Sequence, residues 1–192
     1  MDNKKLVTKL IDFSPLYLND IIDLAKKRLG DGYSNSEELQ RYANRPSNIF
    51  KLIIDAANGN LVGFFKMHGT NVSGLAKEFK LTPDEIRNVV GGNESICVAK
   101  SLVLQKECEK AGLATNLVRD TLEEAKQKGF YSCWSPLWVR KDGSIPAKKI
   151  MDRNDFKYYK NSHMVWVDDK EYKCIDCEGP CKCDAAVYYK IL

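Results

Sequence analysis

The sequence has no apolar run near the roughly 20 residues a membrane-spanning helix needs. Its start, Met1-Asp2-Asn3-Lys4-Lys5, leads into a short alternating stretch and not into the apolar core of a signal peptide. Charge of one sign is also scarce: 30 Lys and Arg against 26 Asp and Glu leave a net of +4. That bias permits an anionic ligand but lacks the basic clustering of nucleic-acid binders. Membrane and nucleic-acid partners are therefore not expected, and a cytoplasmic, reducing compartment is the default. Histidine is rarer still. His68 and His163 are the only two, too few for a triad or a His-rich metal site, and both read as strand-end residues. Low-complexity segments and internal repeats are lacking. Disorder is excluded as the main state, because 44% of the residues are hydrophobic and the net charge is small. A chain of 192 residues can bury roughly 70% of its unfolded surface, so a single domain over 1–192 is expected.

The run Leu6 to Phe13 alternates and predicts a strand. Ser14-Pro15 then supplies an N-cap with proline at the first helical position. Leu18, Ile21, Ile22, Ala25 and Leu29 recur at helical spacing, and Gly30 stands where a C-terminal cap belongs. A shorter helix is predicted over Ser36 to Tyr42, before Pro46. Asn58-Gly59 between two β-rich runs, Ile49 to Asp55 and Leu61 to Met67, predicts a hairpin. Residues 69–93 read as a helical insert: a helical turn over Gly74 to Phe79, then a capping box at Thr82-Pro83-Asp84-Glu85. The insert is either a substrate-facing lid or a loop carrying an incidental helix.

Ser95 to Leu104 is a long apolar strand, followed by a helix over Gly112 to Lys128 with a clean apolar stripe. Further strands are expected over Phe130 to Val139, His163 to Val167 and Ala186 to Ile191, and a short helix over Pro146 to Arg153. This order describes an α/β (α+β) sheet with helices packed on it. Trp134, Trp138 and Trp166 read as core or half-buried sheet residues, with a substrate pocket as the other option.

The chemical signal lies where the long strand turns into the helix. Small residues at Ala111, Gly112 and Ala114 let a ligand approach the backbone closely. The first helical N–H groups lack intrahelical partners, and the helix dipole is positive there. Such a junction is either a pyrophosphate cradle, flanked by Lys106 and Lys110, or an ordinary strand-to-helix turn.

Glu109-Lys110-Ala111-Gly112-Leu113-Ala114 resembles the Arg/Gln-x-x-Gly-x-Gly/Ala loop of the GNAT N-acetyltransferases. The preceding strand, the N-terminal strand with two helices, the Asn-Gly hairpin, and the later strand and helix reaching Asn154-Asp155-Phe156 resemble that family too. The resemblance spans roughly residues 5 to 170. It implies a mixed, mostly antiparallel twisted sheet with helices on both faces, and acetyl-CoA as cosubstrate. It also implies that backbone groups of Leu102 and Leu104 hold the pantetheine arm. Amides from Lys110, Ala111, Gly112, Leu113, Ala114 and Thr115 would hold the pyrophosphate, and Ser144 would contact the pantetheine. The chain departs from the pattern in three places. Glu109 replaces Arg or Gln, Met151 falls where a tyrosine acid is frequent, and Asp155 replaces the glycine before Phe156.

The resemblance implies direct acetyl transfer to an amine without a covalent acyl-enzyme. Positioning and an oxyanion contact from a backbone amide near Leu104 then carry most of the catalysis. Glu94 is the candidate base, and Tyr158 and Tyr159 are candidate acids. Cys108 reads as packing and not as a nucleophile. The acceptor is a small-molecule or peptide amine. A homodimer stays open. The competing reading is a non-catalytic acyl-CoA-binding or protein-interaction module on the same fold.

Four of the seven cysteines, Cys174, Cys177, Cys181 and Cys183, fall within ten residues around a Gly179-Pro180 turn. In a reducing compartment, thiols so clustered read as metal ligands. Four thiolates suit a structural, tetrahedral zinc with no open position. An iron–sulfur cluster, another soft metal, two disulfides or uncommitted thiols are the alternatives.

Overall fold

The computed structural model describes residues 6–109, 111–163, 166, 172–177 and 181–192. Strand β1 (Thr8–Asp12) is followed by Ser14, whose hydroxyl accepts the Leu16 N–H over a 3-10 turn at Pro15–Tyr17. Helix α1 (Leu18–Arg28) buries Ile21, Leu24 and Ala25. Two residues of strand, β2 (Gly30–Asp31), follow. Gly30 is therefore a strand residue and not the cap its position suggested. A Cβ there would lie 2.1 Å from the Lys173 carbonyl oxygen, so only glycine allows this approach. Helix α2 (Ser36–Ala43) opens with a complete capping box between Asn35 and Glu38.

Strands β3 (Ile49–Asp55) and β4 (Leu61–Thr70) form the expected hairpin. Its loop spans residues 56–59 and is closed by the Asp55 N–H to Asn60 carbonyl bond at 2.8 Å. Helices α3 (Val72–Phe79) and α4 (Pro83–Val90) occupy the segment read as an insert, and the Thr82–Glu85 capping box is present. Their apolar faces bury Leu75, Phe79, Ile86 and Val90 against Ile96, Val98 and Trp134, so they are part of the core.

Strand β5 (Ile96–Leu104) leads through a short 3-10 turn to α5 (Leu113–Gln127). Strand β6 (Ser132–Trp138), helix α6 (Lys148–Asp152) and strand β7 (Lys157–Ser162) come next. The chain closes with β8 (Lys173–Cys174), which pairs with β2, and β9 (Ala185–Ile191). The strand expected over His163 to Val167 lies earlier, at β7. There the signal is a polar edge strand, Lys-Tyr-Tyr-Lys, which an apolar-run reading misses; His163 already belongs to a turn, and residues 164, 165 and 167 are outside the described set.

The seven strands run in the order β1-β3-β4-β5-β6-β9-β7. Every neighbouring pair is antiparallel except β5–β6. One face packs on α5 and α6; the other packs on α1 and α2 at one end and on α3 and α4 at the other. Asp155 has φ 61°, the left-handed conformation that glycine adopts most readily and that Asp tolerates better than most residues. Lys190 holds that turn through the Asn154 carbonyl at 2.8 Å and the Asp155 carboxylate at 3.2 Å.

Candidate active site and metal centre

Strand β5 carries the geometry that matters. Its pairing with β4 slips between Lys66 and Met67, leaving Lys100 as an extra residue, a β-bulge. The bulge changes which backbone groups face which neighbour. Before it, the Ala99 carbonyl faces β6, where the Ser135 hydroxyl donates to it at 3.1 Å. After it, the Gln105 N–H donates to the Val62 carbonyl at 2.9 Å on β4. By alternation Val103 and Ser101 also bond β4, and Leu102 and Leu104 turn their N–H and C=O outward, toward β6. Yet β6 pairs with β5 only over Ile96–Val98. Its later residues, Ser135 to Trp138, pair with β9 instead. The sheet therefore opens beside Leu102 and Leu104.

This opening leads to the start of α5. Gly112 has φ 79° and caps the helix with no side-chain bond, and the first intrahelical bond is Asn116 N–H to the Gly112 carbonyl at 3.1 Å. The N–H groups of Leu113, Ala114 and Thr115 thus have no intrahelical acceptor. Ala111 and Gly112 are exposed, Leu113 and Thr115 half-buried, and Ala114 buried. Lys110 lies outside the described residues. Glu109 is ion-paired with Arg28 of α1, which turns its charge away from the helix start. Cys108 packs at the edge of the core, and burial pushes its thiol up, against a nucleophilic role.

On the opposite side of β4 and β5 is a cavity of about 360 Å³. Its walls include Tyr33, Tyr42, Lys66, His68, Glu78 and Lys100. The His68 Nε2 lies 2.9 Å from one Glu78 oxygen, and the Lys100 ammonium donates to the other at 2.8 Å. Burial alone would raise the Glu78 carboxyl, but the His68 hydrogen bond and the Lys100 charge outweigh it and hold it at about 2. A neutral His68 bonded this way donates Nε2–H and keeps a lone pair on Nδ1. Tyr33 shares a hydrogen bond with Ser101 of β5.

The sequence missed Lys66, His68, Glu78 and Lys100. One signal was available. In β4, Phe64, Lys66 and His68 alternate onto one face of an otherwise apolar strand, which places two polar residues over a buried surface.

The expected base, Glu94, lies elsewhere. It is exposed, and its carboxylate accepts the Val72 N–H at 2.9 Å, capping α3. It precedes the bulge by six residues, roughly 20 Å of extended chain. Its position in the fold is that of a helix cap. The candidate acids also lie apart. The Tyr158 hydroxyl donates to Asn161 at 3.3 Å and that of Tyr159 to the Glu85 carbonyl at 3.4 Å. Met151 is buried in the core. Ser144 closes an exposed turn, accepting the Arg140 N–H on its carbonyl. Trp134 is fully buried and stacks on Tyr189, a core role.

The four cysteines converge. The sulfurs of Cys174, Cys177, Cys181 and Cys183 all lie within 4.8 Å of one another. Cys183 is 3.8 Å from Cys174 and 3.5 Å from Cys177. Four thiolates around a tetrahedral zinc have sulfur–sulfur edges of about 3.8 Å, so the set fits one such ion. Backbone N–H groups of Asp176 and Lys182 point at Cys174 and Cys177 sulfurs, at 3.4 and 3.5 Å. Burial pushes the Cys183 thiol up to about 11, and the buried Trp138 indole N–H beside it, which has no hydrogen-bond partner, works against that rise. Arg140 grips Asp176 through two bonds of 2.9 and 2.6 Å. The cluster is fastened to the α1–α2 connection by the Gly30–Cys174 pairing and by the Tyr172 hydroxyl on the Leu29 carbonyl at 2.8 Å. Tyr33 then packs edge-on against Tyr172.

No family model and no curated protein matches this sequence. Solved structures match it closely in shape. Arabidopsis thaliana NAA60 in complex with a bisubstrate analogue aligns at a TM-score of 0.71 and 14% identity, over 96% of this chain and 98% of that one. Ard1 from Thermoplasma volcanium aligns at 0.64 and 14%, over 96% and 97%. An acetyltransferase of the GNAT family from Streptococcus pneumoniae aligns at 0.63 and 14%, over 97% and 100%. The chain thus has the fold of the GNAT N-acetyltransferases. Among the described residues no helix is long and apolar enough to cross a membrane.

Proposed function

We propose that the chain is a single acetyl-CoA-dependent N-acetyltransferase domain acting on a primary amine, with 69–93 as its helical insert. The observation that carries this is the opening of β5 from β6 beside Leu102 and Leu104, continuous with the uncapped start of α5. A pantetheine arm has the alternating amide donors and acceptors to add to β5 as a short strand. The N–H groups from Ala111 to Thr115 are then within reach of a pyrophosphate. For Lys110 the same role is only what the resemblance implies. One neighbour of the same fold, Arabidopsis thaliana NAA60, was solved with acetyl-CoA.

Transfer proceeds by direct attack. The acceptor enters as an ammonium and gives one proton to solvent. Its nitrogen forms a bond to the thioester carbon while the carbon–sulfur bond breaks. The second amine proton passes through His68 Nδ1 to bulk water, and the CoA thiolate takes up a proton, so acetyl-CoA and amine become acetamide and free CoA. The backbone N–H of Leu102, the first outward-facing amide after the bulge, stabilises the oxyanion. Glu78 orients His68 as base and steadies its charged form. This assignment replaces Glu94.

Zinc, held by Cys174, Cys177, Cys181 and Cys183, is structural in this reading. Four thiolates leave no position for a substrate, and the ion fixes the loop that supports Tyr33. The domain works in the cytoplasm, where the thiols stay reduced.

Calorimetric titration with acetyl-CoA tests the reading, together with an amine-dependent thiol-release assay. Micromolar binding and amine-dependent release are expected. Binding without any release would favour the non-catalytic acyl-CoA-binding module. No binding by a folded sample would remove both readings.

A further inference from the structure

Lys66 is the residue of the cavity that its own fold does not explain. The residue is 7% exposed, and among the described residues it has no carboxylate partner. Its ammonium reaches only the Ser34 hydroxyl, at 3.4 Å, and the rings of Tyr33 and Tyr42, at 5.1 and 5.3 Å from their centroids. A buried cation is costly unless paired, and ring contacts offset part of that cost. Desolvation accordingly pulls its pKa down to about 8. A second group nearby is also unsatisfied: the Tyr42 hydroxyl, a wall of the same cavity, is buried with no hydrogen-bond partner.

The two carboxylates of the cavity do not meet this demand. Glu78 is taken by His68 and Lys100. Glu38 caps α2 through the Asn35 N–H and acts on Lys66 only through space, opposed by the Lys100 charge. Arg45 stands exposed at the cavity wall, with no ion pair among the described residues. An incoming anion with two oxygens would satisfy Lys66 and Tyr42 together. Position sets its size. Lys66 is the direct cross-strand partner of Ser101, so their Cβ atoms are about 5 Å apart. Ser101 adjoins the opened part of β5. The anion and the reacting amine must therefore belong to one small molecule.

We propose that the Lys66 ammonium and the Tyr42 hydroxyl form a carboxylate subsite, and that the acceptor is an amino acid or a similarly small amino-carboxylate. This rests on the acetyltransferase reading for the amine but not for the carboxylate.

The test compares the standard amino acids with their carboxamides, using the full chain with its metal. With acetyl-CoA, at least one acid should be acetylated with a kcat/KM at least tenfold above that of its amide. K66M should bring that ratio close to one, and Y42F should lower it severalfold. Saturation-transfer NMR without acetyl-CoA reads the subsite separately: the acid gives a signal, the amide does not, and K66M loses it. If acids bind through Lys66 but acetyl-CoA does not bind, the subsite holds and the transferase reading falls. If acid and amide bind or react alike, if no amino acid binds, or if folded K66M and Y42F both keep the preference, the proposal is overturned.

Discussion

The Tyr33 and Ser101 hydroxyls share a hydrogen bond across 68 positions of the chain. The ring of the same tyrosine packs edge-on against Tyr172, with centroids 5.6 Å apart. Tyr172 belongs to the segment that carries Cys174, so the thiol cluster supports the residue that reaches β5. Metal removal is expected to loosen the acceptor side and to spare the start of α5. Loss of a Tyr33-type hydrogen bond corresponds to roughly three- to tenfold in binding. Chelation of the full chain should therefore raise the acceptor KM by that factor, with a much smaller change for acetyl-CoA. Metal analysis and two-substrate kinetics check this. Equal rises in both KM values would mean that the cluster sustains the whole fold and not the acceptor side.

The start of α5 offers a sharper prediction. A Cβ at Gly112 meets nothing within 4 Å, so G112A costs little beyond its left-handed φ of 79°, roughly 1–2 kcal/mol. G112E carries the same strain and adds a carboxylate beside the N–H groups offered to the pyrophosphate. It should lose roughly a hundredfold in acetyl-CoA affinity, while G112A keeps most of it. Circular dichroism and calorimetry on both variants separate strain from charge. Retained affinity in G112E would show that the turn binds no anion.

Much of the fold was legible because its signals are local. The capping box at Thr82–Glu85, the Asn58-Gly59 hairpin and the stripe of α5 each depend on residues a few positions apart. The cysteine cluster was legible for the same reason. The cavity was not. Lys66, His68, Glu78 and Lys100 come from β4, α3 and β5, and a one-residue bulge sets their register. No sequence period records where a bulge falls, so the phase of Leu102 and Leu104 was readable only from the resemblance. Glu94 caps α3 through the Val72 N–H, a contact between residues 22 positions apart that no local pattern records.

Glu78 ties the base proposed at His68 to acid stability. Its carboxyl sits at about 2 against an ordinary 4.5, so its contribution is full above 4.5 and is lost as pH falls toward 2. That shift corresponds to at most about 3 kcal/mol. E78Q should be less stable than the parent at pH 7, and the difference should shrink by pH 3. Urea melts at the two values read it. The same variant, and H68Q, should lower kcat by roughly a hundredfold or more. A kcat within a factor of about three in folded H68Q would remove the base from His68.

Lys66 has the opposite linkage. Its folded-state value near 8 lies below the ordinary 10.5, so burial penalises the charged form. The penalty is complete below pH 8, and it fades as pH rises toward 10.5, when the unfolded chain also loses its proton. It amounts to about 3 kcal/mol. K66M keeps the length of the side chain and removes the charge. It should raise the melting temperature at pH 7 by several degrees, given roughly 2–4 °C per kcal/mol at this chain length. At pH 10 the gain should be smaller. A protein that keeps a destabilising cation in a cavity gives up stability for some other property. A K66M protein less stable than the parent at pH 7 would instead mean that Lys66 is paired in solution, and that its place in the cavity is structural.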